Sequence, residues 1–164
     1  MPESNASPGL RILALWNRLA AVPGGKRVFS LLIGRMAPYT GSIGARCEEL
    51  RPGYARWTLR DRGAVRNHLR SVHAVALVNL AEVASGTAML TALPAGVRGI
   101  VTAIEIEYLK KARGRLTATS TCDVGAVPEP REQRVQAAIH DAGGEMVAVA
   151  RVTWRLAPPD GPAA

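Results

Sequence analysis

The chain has 164 residues, 48% apolar and 21% charged, which suits one soluble globular domain with a sizeable core. The formal charge is +8, but aromatics make up only 4% and no nucleic-acid-binding motif occurs, so base-stacking platforms are scarce. That charge fits a polyanionic small molecule or an acidic carrier protein at least as well. Cys47 and Cys122 stand far apart with no CxxC or Cys/His spacing, so neither a zinc site nor a disulfide framework is expected, and both read as reduced core thiols.

An apolar patch from Leu10 to Val22 is broken by Arg11 and Arg18, is too short to span a bilayer and follows no basic n-region. No transmembrane segment is expected, and a cytoplasmic address follows. Ile12, Leu15, Trp16, Leu19 and Val22 keep helical spacing up to Pro23-Gly24-Gly25, and a second short helix is expected over Val28 to Met36. From Gly41 the period becomes two. Ile43, Ala45 and Cys47, the turn Pro52-Gly53, and Ala55, Trp57 and Leu59 read as a hairpin.

A loop from Asp61 to Val72 leads into a long apolar helix over His73 to Leu93, closed by Pro94 and Gly96. Four strands are expected after it. They are carried by Ile104, Ile106 and Tyr108; by Leu116 to Val124; by Val135, Ala137 and Ile139; and by alternate residues from Met146 to Leu156, with a tight turn at Gly143-Gly144. A helix apolar on every side must be wrapped, so the expectation is an α+β chain in which an antiparallel sheet curls round a central helix, the hotdog fold. The expected division is a helical extension over 1–40, a hotdog core over 41–157 and a tail over 158–164, with mobile ends over Met1 to Gly9 and Pro158 to Ala164.

Glu82 is the only ionised residue from His73 through Leu93, and its neighbours are Leu80, Ala81, Val83 and Ala84. An unpaired buried carboxylate is costly, so it is either paired or employed. Its structural alternative is an interface pair with Arg66 or Arg70, and Asn79, one turn earlier, is in reach to hydrogen-bond it. Taken alone, Asn67 is an ordinary loop residue and His73 a helix-start residue.

Taken together, Asn67, His73 six residues later and Glu82 nine beyond that resemble the hotdog-fold thioesterases, in particular the phenylacetyl-CoA thioesterase-like branch. The run TAIEIEYLKKARGRLTA over 102–118 is similar to that family's long strand and basic turn, and the order of elements matches over about residues 40–156. Two positions depart: Ala74 and Val75 stand where the family has Gly-Gly, and Gly86, between Ser85 and Thr87, stands where it often has a hydroxyl residue.

The resemblance implies hydrolysis of an acyl-CoA or acyl carrier protein thioester with no metal or redox cofactor. Glu82 is then nucleophile or general base, Asn67 and His73 position the reactants, and the Ala74 amide stabilises the oxyanion. Ser85 is expected to help bind substrate, and Lys110, Lys111, Arg113 and Arg115 to receive phosphates or an acidic helix; a solvated basic hairpin is the plain alternative. Within one helix, nine residues put Glu82 half a turn round from His73 and ~13 Å along the axis, so one reaction using both requires a homodimer or a dimer of dimers. Two other functions stay open: a hydroxyacyl-thioester dehydratase pairing His68 with Glu82, and a noncatalytic acyl-thioester binder.

Overall fold

A computed structural model describes residues 7–158. The tail expected over 158–164 and most of the N-terminal end lie outside the described residues.

Helix α1 (Pro8–Leu19) has proline at its first position, and the Ser7 hydroxyl accepts from the Leu10 amide as its cap. It buries Gly9, Ile12 and Trp16. Helix α2 (Gly25–Met36) starts after Gly24, whose φ of 77° favours glycine, and buries Gly25, Phe29 and Ile33. A five-residue helix α3 (Pro38–Ser42) follows, where the sequence had suggested only the approach to a strand. The Trp16 ring meets Phe29 edge-on at 5.0 Å and Phe29 lies 6.4 Å from Trp57, so the N-terminal helices are tied to the sheet by stacked aromatics.

Six strands form one antiparallel sheet: β1 (Arg46–Arg51), β2 (Tyr54–Arg60), β3 (Arg98–Tyr108), β4 (Arg115–Thr121), β5 (Arg131–His140) and β6 (Met146–Ala157). Their order is β1-β2-β4-β5-β6-β3. At the β1–β2 turn Gly53 has φ of 69°, and a Cβ there would stand 2.3 Å from the Cys122 carbonyl oxygen, so only glycine fits.

Helix α4 (Ala74–Ala92) lies in the hollow of this sheet and packs on all six strands, with α1 and α3 against its other side. It is long and apolar enough to cross a membrane, but 72% of that stretch is buried within the fold, as a core helix requires. Its buried threonine hydroxyls are satisfied internally: Thr87 donates to the Val83 carbonyl and accepts from Trp57 Nε1, while Thr91 donates to the Thr87 carbonyl and accepts from the Gly53 amide. The chain therefore has the expected wrapped-helix fold.

Three boundaries differ from the sequence reading. The first strand begins at Arg46 rather than near Ile43, because α3 and the turn at Gly44 (φ 63°) take up the earlier residues. A bulge between Cys47 and Glu49 then moves the buried position to Leu50. Strand β3 starts at Arg98 and pairs on one side only, with β6; of its alternating apolar residues Ile104 and Tyr108 are exposed and Ile106 is half-buried.

Phe29 is fully buried between Trp16 and Trp57. Phe29→Ala is expected to cost ~3–5 kcal/mol in denaturant unfolding, because it empties the joint between the helical extension and the sheet.

Candidate active site

The loop before α4 is built round Asn67. Its Oδ1 accepts from the amides of Leu69 (2.9 Å) and Ser71 (3.2 Å) and from the Ser71 hydroxyl (3.2 Å). This turn carries Arg70 at φ of 56° and leaves only Nδ2 of Asn67 to address a ligand. His73 caps α4: its Nδ1 accepts from the Val75 amide at 3.1 Å and its own amide donates to the Val65 carbonyl. One of the free amides at the helix start is thus taken by the histidine, and the exposed Ala74 amide remains at the positive end of the dipole.

Two turns into α4, Glu82 is half-buried, and burial raises its pKa above the ordinary carboxylate range. Its side chain forms no ion pair or hydrogen bond among the described residues, so within one chain none of Arg66, Arg70 and Asn79 is its partner. Arg66 instead binds Asp61 at 2.6 Å, and Asn79 donates to the Tyr39 carbonyl of α3 at 2.9 Å.

The carboxylate lies over Gly86. A Cβ at that glycine would stand 3.5 Å from Glu82 Oε1 and 3.8 Å from Trp154 Cζ2, so acid and indole share one small hollow. Trp154 is 5% exposed and its Nε1 is buried with no hydrogen-bond partner. A buried donor without an acceptor thus stands near a carboxylate without a donor, and each is costly to leave unpaired. Trp154 was legible in the sequence only as an inward residue of its strand; nothing there marks it as a neighbour of Glu82.

Trp154 pairs with Val101 in the first half of edge strand β3. At the other end of that strand, the Tyr108 hydroxyl donates to the Ala74 carbonyl at 3.2 Å, and its pKa is raised by burial. The glutamate hollow and the helix start therefore lie toward opposite ends of the same open edge, and the chain does not bring Glu82 together with Asn67 and His73.

Two residues expected to meet substrate are already engaged. Ser85 is fully buried and donates to the Glu82 carbonyl at 3.1 Å, as a hydroxyl in a helix interior commonly does, so it is not presented to a cleft. Lys110 binds Asp141 at 2.8 Å and also Glu145, which neutralises it on the β5–β6 hairpin. Lys111 and Arg113 are exposed beside it without ion pairs among the described residues, and Arg115 projects from the start of β4.

The family described as Domain of unknown function (DUF4442) matches residues 25–156. The chain belongs to this family. The DUF4442 match starts at α2, so it takes in part of the helical extension as well as the sheet and central helix. Among solved structures, a genomics target, APC5556, is 34% identical with a TM-score of 0.78, over 89% of this chain and 97% of that one. A Pseudomonas aeruginosa protein of unknown function, described as a probable thioesterase, is 24% identical with a TM-score of 0.71, over 83% and 96%. A thioesterase from Haemophilus influenzae is 17% identical with a TM-score of 0.67, over 80% and 92%. These likenesses identify the fold as hotdog. No curated protein matches the chain.

The raised pKa of Glu82 has a consequence for stability. As pH rises from the ordinary carboxylate range through the raised value, the folded chain holds more protons than the unfolded chain, so stability falls. Glu82→Gln is therefore expected to be more stable than the parent at about pH 8 and equal to it at about pH 4, by denaturant unfolding. Equal stability at both would mean a solvated carboxylate.

Proposed function

We propose that the chain hydrolyses an acyl thioester, carried on coenzyme A or an acyl carrier protein, to a free acid and a thiol. The observation that carries this reading is the half-buried carboxylate of Glu82, without a counter-charge, in a hollow it shares with an unpaired indole N–H. Such an acid is a stronger base than one in water, and the low-dielectric surroundings favour its attack on a neutral, polarised carbonyl. The thioesterase descriptions of two similar folds point the same way.

In this reading the thioester carbonyl lies against the first turn of α4. The Ala74 amide and the helix dipole stabilise the oxyanion, and His73 holds that turn through Val75. Glu82 takes a proton from water, whose oxygen adds to the carbonyl carbon; the C–S bond then breaks and the proton passes to sulfur. Direct attack by Glu82 through an anhydride gives the same products. The Nδ2 of Asn67 and the indole of Trp154 are the donors left to orient water or acyl group. Lys111 and Arg113 receive the carrier's phosphates or acidic surface, and a cytoplasmic setting belongs to the same reading. No metal or redox cofactor enters these steps.

The site is completed by a second copy. Strand β3 leaves its outer backbone edge unpaired, a ready template for another strand. A two-fold axis near Ile104 would lay one Tyr108 end, with its Ala74, against the Val101 end of the other, with its Glu82 and Trp154.

Thiol release across acyl-CoAs of graded length tests the activity. Glu82→Gln is expected to lower kcat by ~10²–10⁴ with little change in KM. Hydration of crotonyl-CoA without thiol release would favour the His68–Glu82 dehydratase, and binding without turnover a noncatalytic protein.

Subunit mixing tests the shared site. Ala74→Pro keeps a helix-compatible first residue but removes the oxyanion donor. Refolded mixtures of this variant with Glu82→Gln should recover roughly a quarter of parental activity, since half the dimers carry one intact site. Mixtures as inactive as their components would place the whole reaction within one copy.

A further inference from the structure

At the opposite edge of the sheet from β3, helices α2 and α3 and the start of β1 enclose a cavity of about 840 Å³, within the range that holds small organic ligands. Glu82 does not line it. Five arginines do: Arg27 and Arg35 from α2, Arg46 from β1, Arg60 from β2 and Arg115 from β4. The cavity's one carboxylate, Glu48, is already committed, to Lys26 at 3.6 Å, to Arg46 Nε at 3.2 Å and to the Thr58 hydroxyl at 3.3 Å. Even so, the buried Nε of Arg46 has no properly aligned hydrogen bond. The side chains of Arg27, Arg35, Arg60 and Arg115 have no ion pair or hydrogen bond among the described residues.

Arg60 and Arg115 stand directly opposite each other across the β2–β4 ladder. Like charges facing one another in that position are destabilising, and an anion between them removes the penalty. The remaining wall mixes the hydroxyl residues Ser30, Thr40 and Ser42 with an apolar part formed by Leu31, Ile33, Pro38 and Trp57, of which Leu31 is 68% exposed. The α2–α3 corner is fixed by two glycines in backbone contact: a Cβ on Gly34 would stand 2.9 Å from Gly41 Cα, so a larger residue would push α3 away.

We propose that this cavity binds a single-chain anionic amphiphile, its phosphate or carboxylate head between Arg60 and Arg115 and its chain along Leu31 and Pro38. Phosphate alone would leave most of the volume and the apolar wall unused, and an uncharged chain would leave the arginines unneutralised. The inference does not rest on thioester hydrolysis.

Calorimetric titration of the full chain with dodecyl phosphate, below its micelle concentration, tests it. Saturable one-to-one binding is expected, weakened at least tenfold in Arg60→Gln/Arg115→Gln and, through the apolar wall, in Leu31→Ser, and unchanged in Glu82→Gln. Dodecanoate should bind at the same site, so its ratio to dodecyl phosphate reports which head is preferred. Because both arginines are exposed and repel each other, the double variant should unfold at no lower temperature than the parent. Binding that survives the double variant, equal binding of dodecanol or of inorganic phosphate, or binding to anionic vesicles but not to the monomeric amphiphile, would each overturn the proposal.

Discussion

A helix with almost no polar face must be enclosed, and the enclosure of α4 dictates the rest of the molecule. Six strands cover most of its circumference, and α1 and α3 close the remaining side. The closeness of this packing is visible at Gly9, where a Cβ would stand 1.9 Å from the Leu90 carbonyl oxygen, so the backbone of α1 rests directly on α4. Large apolar burial of this kind is the main favourable term in folding. It also creates the low-dielectric surroundings in which one ionisable group behaves unlike a surface carboxylate.

That group is half-buried within the enclosure. Glu82 points toward the β6–β3 side, and β3 is the strand with a free edge and exposed Ile100 and Ile104. Had Glu82 been paired with an arginine, as a purely structural acid would be, its pKa would be held down rather than raised. Desolvation is the only cause acting on it. An acid disfavoured in its charged form by burial alone is a common property of functional groups.

The periodicity of the sequence made the wrapped helix and most strands legible, because both depend on apolar spacing that survives in any context. The elements it missed are those set by tertiary geometry. α3 is too short to show a period, and the bulge in β1 breaks the alternation that would reveal the strand. The site was legible at Glu82, whose isolation among apolar residues is a sequence fact. It was not legible for partners chosen by approach in space: Asn79 reaches Tyr39, Lys110 reaches Asp141, and Ser85 turns back onto its own helix. Asn67 was named from its spacing, and the structure adds that its oxygen already holds the loop together.

Near the open β3 edge stands a carboxylate without a counter-charge, while at the β1 edge five arginines line a cavity whose one acid is neutralised internally. Surface charges repel weakly in water, so a chain can carry an excess of eight without losing its fold. The repulsion is largest where arginines are held opposite one another on a rigid ladder, as Arg60 and Arg115 are across β2 and β4. In the proposed binding mode an anion between them lowers that cost, and the apolar side chains of the same cavity favour a ligand that is charged at one end only.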